Sequence, residues 1–161
     1  MDFQAKVLTQ ATLNSWRSDL RKQSKRLVVT NGCFDLLHLG HVSYLQEARN
    51  LGDALLIGVN GDTAVKKLKG PARPLNNESD RASVLAALEA VSGVFVFEEA
   101  TATNFLKMAS PDIYVKGGDY TLEQLNAEER QAVENCGGRI QILRLIPERS
   151  TTGLIAKISS L

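Results

Sequence analysis

The sequence predicts an open α/β fold in which helices cover both faces of a parallel sheet. From Leu27 onward, short apolar runs alternate with helical segments, and this alternation is typical of βαβ units. Most of the runs are continuously apolar, as in residues 54–59, which indicates strands buried on both faces. We therefore expect a Rossmann-like, doubly wound sheet of five strands, with the ligand site beyond the carboxyl ends of the strands.

The segment before Leu27 is predicted to be an accessory helix. Thr9 is a suitable N-cap for a helix over residues 10–23, in which Leu13, Trp16 and Leu20 recur at helical spacing. A basic run at 21–26 follows, which we interpret as a solvated helix end; a nucleic-acid patch is the alternative. The chain is accordingly divided into an accessory helix, 1–26, and an α/β domain, 27–161.

Within the α/β domain, capping signals support the order of the elements. Asn77 precedes an acidic first turn, Ser110-Pro111 ends a helix, and Gly137-Gly138 precedes the last strand. The predicted strands are 27–30, 54–60, 93–97, 113–116 and 139–145. The predicted helices are 40–51, 63–68, 78–91, 102–109 and 122–135, with a last one from about residue 151.

Composition excludes several classes of protein. A length of 161 residues allows one well-buried domain, and 19 basic against 18 acidic residues argue against a protein that coats nucleic acid or an anionic membrane. No apolar run approaches the ~20 residues that span a bilayer, and the start of the chain has no signal-peptide pattern. Cys33 and Cys136 match no metal or disulfide spacing, so we expect a reducing, cytoplasmic setting.

The most informative motif is His38-Leu39-Gly40-His41, which holds both histidines of the chain at a loop-to-helix junction. A spacing of three places the two imidazoles on one side of the first helical turn, and Gly40 permits close approach of a ligand. Together with a helix N-terminus, they suit the charge that develops during phosphate transfer. A capping or core histidine pair and a zinc site are the alternatives, but zinc has no evident third ligand, and we predict no metal ligands in the protein.

Other strand ends also carry glycine or polar residues, whereas the GxGxxG, Walker and GxSxG motifs are absent. Lys69 and Arg81 belong to a basic segment that is either a solvated face or a cover for a polyanion. We interpret Cys33 as a small buried residue and Asp35 as a residue that orders its loop.

Residues 32–41 resemble the HxGH signature of the cytidylyltransferase-like nucleotidyltransferase superfamily, and Ser150-Thr151-Thr152 is similar to its second signature. Residues 31–35, Lys69-Gly70 with Arg73-Pro74, and residues 115–120 further resemble the family of bacterial D-glycero-β-D-manno-heptose 1-phosphate adenylyltransferases. The resemblance covers 27–161 and implies a free-standing enzyme that makes ADP-heptose and pyrophosphate from ATP and the sugar 1-phosphate for lipopolysaccharide. It also implies Mg²⁺ held mainly by the ATP phosphates, a separate heptose kinase, and a homodimer or higher homo-oligomer, with neither nucleic acid nor a membrane as partner.

The resemblance assigns residues to three roles. The catalytic group is His38, His41, Lys69 and Arg81. The nucleotide- and phosphate-binding group is Asn31, Gly32, Cys33, Phe34, Gly40, Lys116, Gly117, Asp119, Arg149, Ser150, Thr151 and Thr152. The group for the sugar phosphate is Asp35, Asn60, Asp62 and Arg73.

Two questions stay open at this level. The second signature lacks the basic residue with which related enzymes end it, because Gly153 stands after Thr152; either Arg144 or Arg149 then meets the triphosphate. The alternative functions are a glycerol-3-phosphate cytidylyltransferase, an FMN adenylyltransferase, or a non-catalytic nucleotide-binding regulatory module.

Overall fold

A computed structural model describes residues 2–118, 121–144, 146–147 and 149–161. Within these residues, six parallel strands form one sheet in the order β1-β4-β3-β2-β5-β6. The strands are β1 Val7–Leu8, β2 Leu27–Gly32, β3 Ala54–Asn60, β4 Gly93–Phe97, β5 Ile113–Gly117 and β6 Arg139–Leu143. The predicted kind of fold is confirmed, while the predicted count of five strands is one too few.

Seven α-helices lie within the same residues. They are α1 Gln10–Lys22, α2 Leu39–Arg49, α3 Asp62–Lys69, α4 Glu78–Ala86, α5 Thr103–Ala109, α6 Ala127–Asn135 and α7 Thr151–Ser159. Two predicted N-caps are confirmed, since the side chain of Thr9 accepts a hydrogen bond from the Thr12 amide and that of Asn77 accepts one from Asp80.

Three local predictions need correction. β1 has two residues, too short for a periodic pattern, and is a strand because Val7 and Leu8 pair with β4. Helix α4 ends at Ala86, five residues before the predicted end. The helix predicted at 122–135 is divided into a 3₁₀ turn, Leu122–Gln124, and α6, because the side chain of Asn126 caps α6.

The order of the strands determines where a ligand can bind. The chain passes from β2 through β3 to β4 on one side, and then places β5 on the other side of β2. The carboxyl ends of β2 and β5 therefore meet at the point where the winding direction reverses. This is the position at which open α/β sheets bind ligands.

Apolar side chains cover both faces of the sheet, as the continuously apolar strands predict. On one face α1, α5 and α6 bury residues such as Leu13, Phe105 and Val133. On the other face α2 and α4 bury residues such as Leu45 and Leu85. No helix in the described part of the chain is long and apolar enough to cross a membrane.

The N-terminal segment contributes both an edge strand and a packed helix. Val7 and Leu8 pair with Val94 and Phe95, and α1 buries Leu13 completely. The segment is thus part of the sheet's architecture; a domain boundary at residue 26 stays a prediction.

Candidate active site

A cavity of about 760 Å³ lies at the carboxyl ends of β2 and β5, and we call it the active-site cavity. Most of the residues that the sequence assigns to the site line it. They are Asn31, Gly32, Cys33, Phe34, Asp35, His38, Gly40, His41, Asn60, Lys69, Arg73, Lys116, Gly117, Arg149, Ser150, Thr151 and Thr152.

The two histidines form a stacked pair on the first turn of α2. His38 is the N-cap residue, and the His41 amide donates to its carbonyl at 2.9 Å. The ring centroids lie 3.9 Å apart at an interplanar angle of 25°, and the ring of Phe34 lies 5.4 Å from that of His41. Both Nδ1 atoms are buried, with no hydrogen-bond partner among the described residues. The predicted placement of the imidazoles on one side of the turn is confirmed.

The surroundings of this pair keep the imidazoles neutral. Burial, and secondarily the neighbouring His38, lowers the pKa of His41 to about 4. Burial, and then the charge of Arg149, also lowers the pKa of His38. At neutral pH His41 is therefore an uncharged imidazole, which carries one N–H donor and one acceptor nitrogen.

The start of α7 packs against the loop that carries the histidines. The Thr151 hydroxyl donates to the Leu36 carbonyl at 3.2 Å, and the Ser150 side chain caps α7 by accepting from the Gly153 amide. A Cβ added to Gly40 would lie 3.0 Å from the His38 ring and 3.1 Å from Arg149 Cβ. The lack of a side chain at Gly40 thus permits this approach, and the positive end of α7 lies at the cavity wall beside the imidazoles.

The floor of the cavity is a hydrogen-bonded network that links β2, β5 and α6. Asn31 Oδ1 accepts from the Tyr114 hydroxyl at 2.6 Å and from Lys116 Nζ at 3.2 Å. Glu129 accepts from the Ala102 amide at 2.8 Å, and its Oε2 lies 3.0 Å from the Tyr114 oxygen, so Asn31 and Glu129 share the single proton of that hydroxyl. The same Oε2 lies 3.8 Å from Lys116 Nζ. Burial lowers the pKa of Lys116, and the nearby Glu129 opposes that shift. The network therefore holds a lysine in place at the wall.

Comparisons with known proteins bear on this arrangement. Residues 29–155 match the cytidylyltransferase-like family model. The chain belongs to the cytidylyltransferase-like family. The residues that carry the predicted HxGH signature are those that form the stacked histidine pair, so the pattern seen in the sequence and the geometry of the cavity coincide in this family member.

The chain is also similar to part of several longer proteins. It is 45% identical to the bifunctional protein HldE of Syntrophotalea carbinolica over 98% of this chain and 32% of that protein. It is 49% identical to HldE of Geobacter sulfurreducens over 86% of this chain and 28% of that protein. The chain thus spans about a third of the length of these curated relatives.

Solved structures share the fold. A lipopolysaccharide core biosynthesis protein from Thermoplasma volcanium is 28% identical and matches with a TM-score of 0.61, covering 76% of this chain and 97% of that one. Pantoate-β-alanine ligase from Francisella tularensis, solved with a β,γ-ATP ligand and β-alanine, matches with a TM-score of 0.59 over 91% of this chain and 68% of that one. Its identity is 14%, so it supports the fold alone.

Arg81 and Asp62 do not have the positions that their predicted roles in ligand binding require. The Arg81 side chain is fully buried and donates to Asp62 at 2.8 Å, to the Asn76 carbonyl at 3.0 Å and to the Cys33 carbonyl at 2.5 Å. Neither Arg81 nor Asp62 lines the cavity. In this placement their side chains bind each other and the loop, so the predicted phosphate role of Arg81 and sugar role of Asp62 do not fit.

Asp35 also stabilises the loop between α3 and α4 through hydrogen bonds. Its carboxylate accepts from Arg73 Nε at 2.5 Å and from the amides of Leu75 and Asn76 at 2.8 and 2.9 Å. Burial raises the pKa of Asp35, but these hydrogen bonds together outweigh burial and hold the pKa below its usual value. The loop-ordering interpretation is confirmed, whereas a sugar contact through this saturated carboxylate does not fit.

The remaining predicted residues divide by position. Lys69 and Arg149 line the cavity, and Arg144, the other arginine that the sequence left open, does not. Cys33 is half-buried in the cavity wall, so the prediction of a fully buried residue is wrong. Burial raises the pKa of its thiol, against nearby cations led by Lys69, which argues against a nucleophile. Asp119 lies outside the described residues.

Part of the wall was missed by sequence reasoning. The additional lining residues are Tyr44, Leu68, Ala100, Thr101, Gln124, Leu125, Asn126 and Glu129. Ala100 and Thr101 follow β4, so extending the strand-end rule to that strand would have found them. The sequence gives no comparable signal for Glu129, which lies in a helix with several other acidic residues.

The described residues of the active-site cavity do not include the ligand set of a protein-held metal site. Within the part of the chain that the structure describes, no group of three His, Cys, Asp or Glu side chains is placed to hold a metal ion. The carboxylate of Asp35 is fully engaged by Arg73 and backbone amides. The described side chains therefore do not form a cage for a resident cation.

Proposed function

We propose that this chain is an adenylyltransferase that joins ATP to D-glycero-β-D-manno-heptose 1-phosphate, giving ADP-heptose and pyrophosphate for lipopolysaccharide synthesis. The observation that carries the proposal is the meeting of the stacked His38 and His41 with the start of α7 in one cavity. Two imidazole donors and a helix N-terminus suit the charge that builds up on a transferring phosphoryl group.

The choice of the sugar phosphate rests on similarity. Residues 31–35 and 115–120 resemble the heptose 1-phosphate adenylyltransferases. The chain is also similar to a segment that makes up about a third of the length of each bifunctional HldE protein. The Thermoplasma relative carries the description of a lipopolysaccharide core biosynthesis protein. A separate kinase that supplies the sugar 1-phosphate, which the resemblance implies, belongs to the proposal.

The chemistry proposed is a direct in-line displacement. An oxygen of the sugar 1-phosphate attacks the α-phosphorus of ATP, the new O–P bond forms, and the bond to the bridging oxygen of the β-phosphate breaks. The electron pair leaves with pyrophosphate. The nucleophile is already anionic, so no general base and no covalent enzyme intermediate are required.

Each group of side chains then has a role in positioning or charge stabilisation. The imidazoles of His38 and His41, which both line the cavity, donate to the α- and β-phosphates. The amides at residues 150–152 and the hydroxyls of Ser150 and Thr152 bind the β- and γ-phosphates, while the Thr151 hydroxyl donates to Leu36. Lys116, fixed by Asn31 and Glu129, and Lys69 add positive charge at the wall.

Mg²⁺ enters this proposal as a companion of the ATP phosphates. Magnesium commonly retains several waters and binds through substrate phosphates, so it does not require an all-protein cage. Its contribution would be to neutralise charge on the departing pyrophosphate. The protein groups discussed above act on the phosphates directly.

Location and assembly belong to the same proposal. Cys33 and Cys136 are free thiols, which supports a reducing cytoplasmic setting. Leu154 and Ile158 on α7 are exposed, which supports a homodimer or higher homo-oligomer. Light scattering on the purified chain measures that assembly state, and a monomer at micromolar concentration would remove this part of the proposal.

A substrate panel tests the function. The chain is incubated with ATP or CTP and with heptose 1-phosphate, glycerol 3-phosphate or FMN, while pyrophosphate release is followed. We expect turnover with ATP and heptose 1-phosphate. Efficient use of CTP would transfer the assignment to a cytidylyltransferase, turnover with ATP and FMN would indicate an FMN adenylyltransferase, and nucleotide binding without turnover of any pair would favour a regulatory module.

A further inference from the structure

A second cavity, about 390 Å³ in volume, lies at the opposite pole of the sheet, beside the end of α1 and the start of β2. We call it the basic cavity. Its wall carries four cations, Arg17, Arg21, Lys25 and Arg26, and one carboxylate, Asp112. These side chains leave three net positive charges around one concave space, in a chain whose total charge is +1.

The turn after α1 brings these cations together. Arg17 and Arg21 are four residues apart and therefore share one face of the helix. Ser24 has a φ of 54°, and its amide donates to the Arg21 carbonyl at 2.9 Å. The Lys25 amide then donates to the Leu20 carbonyl at 2.9 Å. The sequence predicts a solvated helix end for the basic run 21–26, but this turn places Arg21, Lys25 and Arg26 around one cavity.

Arg17 is the buried member of the cluster, with 5% of its surface exposed. Its Nε and Nη2 donate to the Ser110 carbonyl at 3.2 and 2.9 Å, and Nη2 also contacts Asp112 at 3.1 Å. Its Nη1 is buried, and no described residue offers it an acceptor. Burial of a guanidinium N–H without an acceptor is unfavourable. Asp112 is the one carboxylate that the described residues place at this wall, so the cluster around Arg17 retains positive charge that a bound anion would neutralise.

We propose that the basic cavity is an anion site for a phosphate group, carried either by inorganic phosphate or by a small phosphate monoester. Arginine binds phosphate through paired N–H donors, and Arg21 and Lys25 are exposed at the rim to complete the shell. The volume equals that of roughly a dozen water molecules, which accommodates a phosphate with a small organic substituent.

This site is separate from the active-site cavity. β2 begins at Leu27 beside Asp112 and ends at Gly32 in the active-site cavity, and its six residues span about 20 Å. None of the residues that line the basic cavity lines the other one. Binding at the two places is therefore measurable separately, whatever reaction the chain catalyses.

NMR on the ¹⁵N-labelled full chain tests the proposal. Inorganic phosphate is titrated in one arm and ribose 5-phosphate in the other, each at constant ionic strength set with NaCl. We expect saturable shifts of the Ser24, Lys25 and Arg26 amides and of the Arg17 Nε–H signal in at least one arm. Binding of both ligands would identify the phosphate group itself as the determinant, and binding of one would identify its source.

Variants at the rim complete the experiment. Arg21→Ala and Lys25→Ala should each weaken binding about tenfold, because each removes a charge-assisted contact. They are chosen over Arg17, which also braces α1. Lys22→Ala is the matched control: it lies on the same helix, pairs with Asp19 and is outside the wall, so it should bind as the wild type does. Shifts that fail to saturate in both arms, or equal loss in all three variants, would overturn the proposal.

Discussion

The cations around the active-site cavity fall into two groups that differ in what neutralises them. Arg73 and Arg81 are bound by the protein's own carboxylates, Asp35 and Asp62, and hold the loop between α3 and α4 against the β2 loop. Lys69 and Arg149 line the open space and pair with no carboxylate among the described residues. Lys116 is intermediate, because it lines the same space with Glu129 Oε2 3.8 Å away. Both groups look alike in the sequence. The comparison shows that a basic residue near the cavity is available to a ligand only if no carboxylate of the protein already binds it. Which carboxylates are close enough to do so depends on the fold.

The largest effect that tests this comparison is expected at Arg81. Arg81→Met leaves Asp62 and the carbonyls of Cys33 and Asn76 without their donor, so the free energy of unfolding should fall by about 3–5 kcal/mol. Lys69→Met is the matched change in the exposed group and should alter stability by about 0.5 kcal/mol or less. Urea unfolding measures both. Equal stability of the two variants would remove the distinction between the groups.

The next effect is expected on turnover. His41→Ala should lower kcat by about 100- to 1000-fold, because in the proposed reaction His41 donates a hydrogen bond to the phosphates. Circular dichroism and the unfolding midpoint should change little by comparison. If the variant keeps more than about half of the wild-type kcat, the histidine pair does not carry the reaction.

A third prediction concerns acid stability. The pKa of His41 is about 4 in the folded chain and about 6.5 when the imidazole is exposed on unfolding. The folded state therefore binds fewer protons, and its stability is lost as the pH falls from 6.5 towards 4, by up to about 3 kcal/mol. His41→Gln should lack this part of the decline. Parallel pH profiles for wild type and variant, measured by urea unfolding, would contradict the effect of burial on His41.

The smallest expected effect is on the pH dependence of activity, and it tests whether Glu129 tunes Lys116 or only supports the structure. Burial lowers the pKa of Lys116 and Glu129 raises it, so Glu129→Gln should move the alkaline limb of the activity profile to lower pH. The loss in kcat/KM near pH 7 should be about tenfold or less, since the amide retains hydrogen-bonding capacity towards Tyr114 and Ala102. Glu128→Gln, an exposed neighbour on α6, is the control. An unmoved alkaline limb in Glu129→Gln would mean that the carboxylate does not tune the lysine.

Much of this molecule could be predicted from the sequence, for identifiable reasons. Strands that are buried on both faces, such as β3, are continuously apolar, and this composition is rare in other elements. The position of His38 relative to His41 follows from local helix geometry alone. Contacts between distant segments have no such local signature. β1 exists because β4 is available to pair with it, and Glu129 reaches the cavity because α6 packs beside β5 and α5.

The placement of β1 has a practical consequence for protein engineering. Its first residue, Val7, pairs with Val94 near the start of β4, and all strands run parallel. The polypeptide therefore enters the sheet at the edge and pole remote from the opening formed by the histidine loop and α7. A reporter, affinity tag or second catalytic unit attached ahead of Asp2 would leave substrate access unobstructed.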